Sequence, residues 1–229
     1  MLRVAGLTRL STTDFPGLLS AVVFVQGCAW RCRYCHNPDI QSRREAPVMT
    51  WQSVLDFLDL RQGLLDAVVF CGGEPTVDRY LATAIRQVRQ RGFKIGLHTA
   101  GIYPERLRAL LPALDWVGFD VKAPFANYAA TTGVSSSGAN AQASLRYLLT
   151  SGVSHEVRTT YHPDLLSTAA LKSMASSLQQ DGVVTFALQE FRPHGCADRY
   201  LSSRPSALAE EDIDHLRNRF PTFILRQQN

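Results

Sequence analysis

The sequence predicts an α/β domain built around a parallel sheet. Three observations carry that expectation. Short β-rich runs alternate with helical stretches at intervals of roughly 25 residues, the order that parallel strands with right-handed crossovers produce. Runs such as Ala67-Val68-Val69-Phe70 are apolar at consecutive positions, as happens when both faces of a sheet are covered. Polar and charged residues collect where these runs end, and in parallel α/β folds function sits at the C-terminal strand ends.

Strands are expected at 21–26, 67–71, 94–99, 116–121, 156–161 and 183–191. Between and after them, helices are expected near 50–61, 77–91, 104–111, 141–151, 168–180 and 209–219. Leu81, Ile85 and Val88 have the spacing of an amphipathic helix, and Thr50 and Ser167 or Thr168 are candidate N-caps. The stretch 131–140, Thr-Thr-Gly-Val-Ser-Ser-Ser-Gly-Ala-Asn, reads as a mobile surface loop. Six β/α units fit either an open doubly wound sheet or a partial barrel, and periodicity does not choose between them.

With 229 residues, 45% hydrophobic and 19% charged, the chain can bury a core of its own and suits one domain spanning 1–229. The formal charge of +4 is modest, and the basic residues are scattered apart from short pairs such as Arg43-Arg44. That argues against nucleic acid as a ligand. No apolar run approaches the roughly 20 residues of a membrane span, and Met1-Leu2-Arg3-Val4-Ala5-Gly6 lacks the layout of a secretory signal. A cytoplasmic location without membrane contact is therefore expected. In a reducing compartment the five cysteines, three of them within eight positions, read as metal ligands or reactive thiols before disulfides.

Those three follow the first expected strand, in Gly27-Cys28-Ala29-Trp30-Arg31-Cys32-Arg33-Tyr34-Cys35-His36-Asn37-Pro38. Three thiolates at this spacing can wrap a loop around three irons of a cubane cluster. With no fourth cysteine nearby, one iron stays open to a small molecule. A structural zinc with His36 as fourth ligand is the other reading, although zinc motifs usually combine two separated pairs and no second pair is present.

The other strand ends are polar as well. Phe70-Cys71-Gly72-Gly73-Glu74-Pro75 ends the second strand; its glycines let backbone approach a ligand, and Glu74 can accept a hydrogen bond from an ammonium group. By itself the motif could equally be a turn. Leu97-His98-Thr99-Ala100-Gly101 ends the third strand and Asp120-Val121-Lys122 the fourth, with acid and base on the same side. An exposed Asp120–Lys122 pair would contribute only about 0–1 kcal/mol, so the strand-end position favours a binding role. Arg158-Thr159-Thr160 ends the fifth strand and Gln189-Glu190-Phe191-Arg192-Pro193-His194 the sixth. A partial barrel would focus all of these groups on one cavity.

Cys28-x3-Cys32-x2-Cys35 after a first strand, with Tyr34 before the last cysteine and Gly-Gly-Glu-Pro one β/α unit later, resembles the radical S-adenosylmethionine superfamily. The resemblance implies a partial (β/α)6 TIM-like barrel with cluster and cofactor at the C-terminal strand ends. Cys28, Cys32 and Cys35 would bind a [4Fe–4S] cluster, S-adenosyl-L-methionine would chelate the fourth iron, and reductive cleavage would yield a 5′-deoxyadenosyl radical. Gly72, Gly73 and Glu74 would hold the methionyl amino group, Asp120 and Lys122 would contact the cofactor, and Thr99 would line the same pocket. His194 would correspond to a late histidine that also contacts it. Beyond the cluster and cofactor, no catalytic side chain is then required.

Within the superfamily the chain most resembles the activating enzymes of glycyl-radical enzymes, above all those serving anaerobic ribonucleoside-triphosphate reductase. Ser11-Thr12-Thr13-Asp14-Phe15-Pro16-Gly17, Cys35-His36-Asn37-Pro38, Gly72–Thr76, Asp120-Val121-Lys122 and Arg158-Thr159-Thr160 carry that likeness over nearly the whole chain. It implies a glycyl-radical enzyme as protein substrate and a flavodoxin or ferredoxin as electron donor. A radical enzyme acting on a small molecule, such as a nucleobase or cofactor precursor, is the alternative. Some of these activators have an aspartate at the position of His98 that helps to bind a monovalent cation, and imidazole is a poor replacement. The cation is thus not expected here; His98 would fill its space or, when protonated, hydrogen-bond the cofactor carboxylate. Cys71 reads as a buried small residue, and Cys196 as dispensable for cofactor cleavage.

Overall fold

A computed structural model of the chain describes residues 1–227. Eight strands form one sheet in chain order: β1 (Val4–Ser11), β2 (Ser20–Val25), β3 (Ala67–Gly72), β4 (Lys94–Thr99), β5 (Trp116–Asp120), β6 (Ser154–Tyr161), β7 (Thr185–Glu190) and β8 (Thr222–Arg226). β1 is antiparallel to β2, and every later pair is parallel. The crossovers carry α1 (Trp51–Asp59), α2 (Leu81–Arg89), α3 (Pro104–Leu110), α4 (Tyr128–Thr132), α5 (Ser137–Thr150), α6 (Thr168–Gln180), α7 (Arg199–Ser202) and α8 (Glu210–Arg217). Thr50 caps α1 by accepting from Ser53 N, and Ser167 caps α6 by accepting from Ala170 N, as their residue types foretell. The result is the α/β partial barrel of TIM type.

Alternation assigns the two faces. Val23, Val25, Val68, Phe70, Ile95, Leu97, Val117, Phe119, Phe186 and Leu188 join the helices in the main core. Val22, Val69 and Trp116 point the other way, into the concave face, where Phe15 plugs against them with its ring 5.6 Å from that of Trp116. That face carries Cys71, His98, Asp120, Arg158 and Gln189 further along the strands, at their C-terminal ends.

Two of the eight strands differ from expectation. β1 was not anticipated because two register shifts, between Val4 and Gly6 and between Thr8 and Ser11, break its alternation. β8 was not anticipated because its run, Thr222-Phe223-Ile224-Leu225-Arg226, is short and follows α8 closely. The stretch 131–140 is also not a loop: it ends α4 and opens α5. Thr131, Thr132 and Ser137 turn inward while Ser135 and Ser136 stay exposed, and Thr132 Oγ1 lies 2.7 Å from Ser137 Oγ with both residues fully buried. A Cβ on Gly138 would stand 1.9 Å from the carbonyl oxygen of Phe125, so only glycine fits that helix turn. Gly138→Ala is therefore expected to destabilise the chain by about 2–3 kcal/mol, against the usual gain for alanine in a helix. Thermal unfolding checks this, and a midpoint lowered by roughly 5–10 °C is the expected reading.

Candidate active site

The cysteine loop leaves β2 and is closed at its base by two backbone bonds, Gly27 N to Ile40 O at 2.8 Å and Cys28 N to Gln41 O at 3.1 Å. Its middle hangs from the end of α4, where Arg31 N donates to Thr132 O at 2.9 Å and Arg33 N to Thr131 O at 3.3 Å. Trp30 is buried edge-on against Tyr128 with ring centres 5.7 Å apart. The inward-turned stretch at 131–140 thus supports this loop. All three thiols are free and half-buried. Burial, with Glu74 and Cys32 nearby, pushes the Cys28 thiol up to about 12, and burial likewise raises Cys32, with Cys35 adding to it. Thiols so placed are protonated at neutral pH, so metal loading must release their protons. Among the described residues no three His, Cys, Asp or Glu side chains are grouped for a single metal ion.

The end of β3 is stitched to this loop. Gly73 N donates to Val25 O at 3.0 Å and Glu74 N to Gly27 O at 2.8 Å. Glu74 is buried, and its Oε1 accepts from Thr76 N at 3.1 Å, Thr76 Oγ1 at 2.5 Å and Thr99 Oγ1 at 2.7 Å. Among the described residues Oε2 accepts from Ala100 N alone, at 3.0 Å. Burial raises the Glu74 carboxyl above its ordinary range, with the Thr76 and Thr99 hydrogen bonds opposing that. A carboxylate oxygen holds two lone pairs, so Oε2 keeps an acceptor position for an ammonium group. Thr99 serves this site by holding Glu74.

Asp120 and Lys122 meet as expected, Nζ to Oδ2 at 3.7 Å, but their pair is one part of a larger network. Arg158, opposite Asp120 in the β5–β6 register, donates from Nε to Asp120 Oδ1 at 2.8 Å. Burial raises the Asp120 carboxyl, and the Arg158 and Lys122 cations overcome it, leaving the group below the usual carboxylate range. Lys122 lies over the Tyr34 ring at 5.3 Å; burial lowers it, but Tyr34, Asp120 and Cys32 hold it well above its ordinary value. Deeper on the concave face, Arg226 of β8 grips the buried Glu156 with two bonds of 2.8 and 3.0 Å. Arg158, Glu156 and Arg226 were not singled out as site residues in the sequence. The signal was Arg158 at a strand end; its pairing to Asp120 depends on strand register.

His98 also belongs to this face. Its Nε2 donates to the backbone carbonyl of Asp14 at 2.9 Å, and its ring meets Trp116 edge-on at 5.5 Å. Burial, reinforced by the Arg158 cation, pushes the imidazole down to about 3. It is therefore neutral at physiological pH, and it secures the Asp14-Phe15 plug instead of presenting a cation to a carboxylate. The sign of the pH effect follows. The unfolded chain takes up this proton near 6.5 and the folded chain only near 3, so stability rises with pH across that window and is lost as pH falls. A loss on the order of 3 kcal/mol between pH 7 and pH 4 is expected from this group. Urea unfolding across that range should show a shallower pH slope in His98→Gln, whose amide can still donate to Asp14.

His194 stands apart. It is exposed on the segment after β7 and forms no hydrogen bond or ion pair with the other candidates among the described residues. The segment itself does reach the cysteine loop: His36 Nε2 lies 2.8 Å from Arg192 O, and Arg33 pairs with Asp198 at 2.9 Å. Cys196 Sγ is 3.5 Å from Arg33 O and packs beside Tyr34 and Phe191, away from the concave face. Cys71 lies on that face, where burial pushes its thiol up to about 11.

The groups present suit the expected cluster and cofactor. Three soft thiols share one loop, a buried carboxylate keeps an unused acceptor position, and the strand end before it passes so close to the loop that a Cβ on Gly73 would stand 2.3 Å from Gly27 O and 3.3 Å from Cys28 Cβ. Comparison with known proteins agrees. The chain is 29% identical over 211 residues to a putative glycyl-radical enzyme activating enzyme of Methanocaldococcus jannaschii, covering 88% of this chain and 85% of that one. It is 30% identical over 125 residues to the pyruvate formate-lyase-activating enzyme of Clostridium pasteurianum, about half of each chain at 52%. The crystal structure of methylornithine synthase shares the fold, with a TM-score of 0.67 at 14% identity over 90% of this chain and 63% of that one. The profile of the Radical SAM superfamily matches residues 22–166. That stretch is more than half of the 229 residues, runs from β2 past the end of β6 and includes both strand-end motifs, so the chain belongs to the radical SAM superfamily, whose enzymes work with a [4Fe–4S] cluster and S-adenosylmethionine.

Proposed function

We propose that this enzyme is an activase that installs a glycyl radical on a partner protein, with Cys28, Cys32 and Cys35 as the cluster ligands. The observation that carries the reading is the similarity to the Methanocaldococcus jannaschii activating enzyme, which extends over 88% of this chain and is not confined to the motifs. The Asp14-Phe15-Pro16-Gly17 element and Cys35-His36-Asn37 favour anaerobic ribonucleoside-triphosphate reductase as the partner, with a flavodoxin or ferredoxin as electron donor.

When bound, the cluster and S-adenosylmethionine supply an organic radical able to take a hydrogen atom from a glycine α-carbon. The chain's own residues bind and orient. Glu74 Oε2 accepts the ammonium of the methionyl group, and Gly72 and Gly73 let it approach the loop. Thr99 and Thr76 fix the carboxylate, and Arg158 keeps Asp120 ionised toward the cofactor beside Lys122. Phe15 and Trp116 close the concave face from below and exclude water. His194 is left outside this set because of its exposed position.

The test is anaerobic reconstitution with iron and sulfide, then incubation with S-adenosylmethionine, reductant and candidate glycyl-radical proteins. A glycyl-radical signal by electron paramagnetic resonance on the reductase supports the reading. 5′-Deoxyadenosine formed with no protein radical, alongside consumption of a small molecule, would replace it.

A further inference from the structure

A pocket of about 380 Å³ opens on the outer side of the cysteine loop, and Cys28 forms part of its wall. Ala29, Arg31, Ser42, Arg43 and Arg44 line it as well, and no carboxylate does. The three arginines differ in what answers their charge. Arg43 pairs at 2.9 Å with Asp78, whose side chain is fully buried, and is neutralised. Arg31 donates from Nη1 to the carbonyls of Cys28 at 2.7 Å and Trp30 at 2.9 Å, which orients the guanidinium and leaves its charge in place. Arg44 is exposed and forms no ion pair among the described residues. Two positive charges therefore stand at a pocket whose wall includes a candidate cluster ligand.

This surface shares no residue with the concave face, where Asp120, Arg158 and His98 gather. A substrate glycine must meet the cofactor on that concave side. An electron carrier needs only to bring its redox centre close to the cluster edge, and Cys28 offers that edge from outside the barrel. Redox encounters are small and transient, and charge guides them more than buried area does.

We infer that the Arg31–Arg44 pocket is the docking surface for an acidic one-electron carrier protein. The inference rests on the proposed function, since it takes Cys28 as a cluster ligand. In the encounter one electron leaves the reduced carrier, which is oxidised by one equivalent, and the cluster is reduced by one. Because the surface is separate from the concave face, carrier and protein substrate can be bound together.

The test uses the reconstituted enzyme, reduced flavodoxin as the probe and dithionite as a small reductant that needs no dock. Arg44→Glu reverses and Arg44→Ala removes the charge on the rim at a residue that lies outside the Cys28–Cys35 run and forms no ion pair among the described residues. Each is expected to lower flavodoxin-driven 5′-deoxyadenosine formation about tenfold at low ionic strength. The difference should shrink in about 0.5 M salt, and dithionite-driven rates should stay within about twofold. Flavodoxin binding followed by titration should weaken in parallel. Unchanged flavodoxin-driven rates in both variants would overturn the assignment, as would equal losses with both reductants, which place the effect on the cluster. An unmutated enzyme inert with dithionite would instead refute the proposed function, and the binding titration would still decide the dock.

Discussion

Cys32→Ala is expected to lower cleavage of S-adenosylmethionine at least about a thousandfold, roughly 4 kcal/mol of lost transition-state stabilisation, while the sheet stays folded. Cys32 lies at the edge of the main core, half-buried, so loss of one sulfur removes little packing. Its electrostatic neighbours tell a different story: Lys122, Cys35 and Asp120 all act on this thiol. It stands within electrostatic reach of the Asp120–Lys122 pair at the strand ends. Iron content, the cluster's electron paramagnetic resonance spectrum and 5′-deoxyadenosine are the readouts, with circular dichroism as the control. A variant that keeps both cluster and cleavage would mean that Cys32 is not a ligand.

Gly73→Ala should be nearly as damaging although it removes no chemical group. Its Cβ would come within 2.3 Å of Gly27 O and 2.8 Å of Gly27 C, both backbone atoms that cannot rotate away. Gly27 O already accepts from Glu74 N, so relief of the clash must open that bond or move Cys28. Overpacking of this kind costs about 1–3 kcal/mol, and each kcal/mol lowers the melting midpoint of a chain this long by roughly 2–4 °C. Cofactor affinity should fall more than stability, by at least about tenfold, because the shift displaces the Glu74 carboxylate and the cysteine loop relative to each other. Isothermal titration with S-adenosylmethionine on reconstituted protein measures this. Unchanged affinity would show that the seam does not position the cofactor.

Much of the fold was legible because parallel strands covered on both faces leave unbroken apolar runs, as Ala67–Phe70 does. The cluster loop was legible from cysteine spacing, and Glu74 from its glycines. The strand-end network was legible only in part. Asp120 and Lys122 are two residues apart and fall on one side of a strand by alternation, so sequence brings them together. Arg158 and Arg226 reach their partners through pairing between strands, and a single sequence carries no register. β1 was hidden by its bulges, and the 131–140 stretch misled because serine, threonine and glycine look like loop until their hydroxyls are seen bonded inside a helix turn. The Asp14-Phe15 pair was visible as a family marker, whereas its physical work, a plug held by a neutral imidazole, emerges only from the contact with His98.

Glu74 has a consequence that reaches beyond ligand binding. The same carboxylate that offers one acceptor position ties the turn after β3 to the end of β4 through four hydrogen bonds. A protein with such a shared joint has no way to adjust its grip on a ligand there independently of its mechanical integrity. Substitutions at that position change both at once, so the two properties are inherited as one trait, and variation in ligand preference is channelled to the neighbouring strand ends instead.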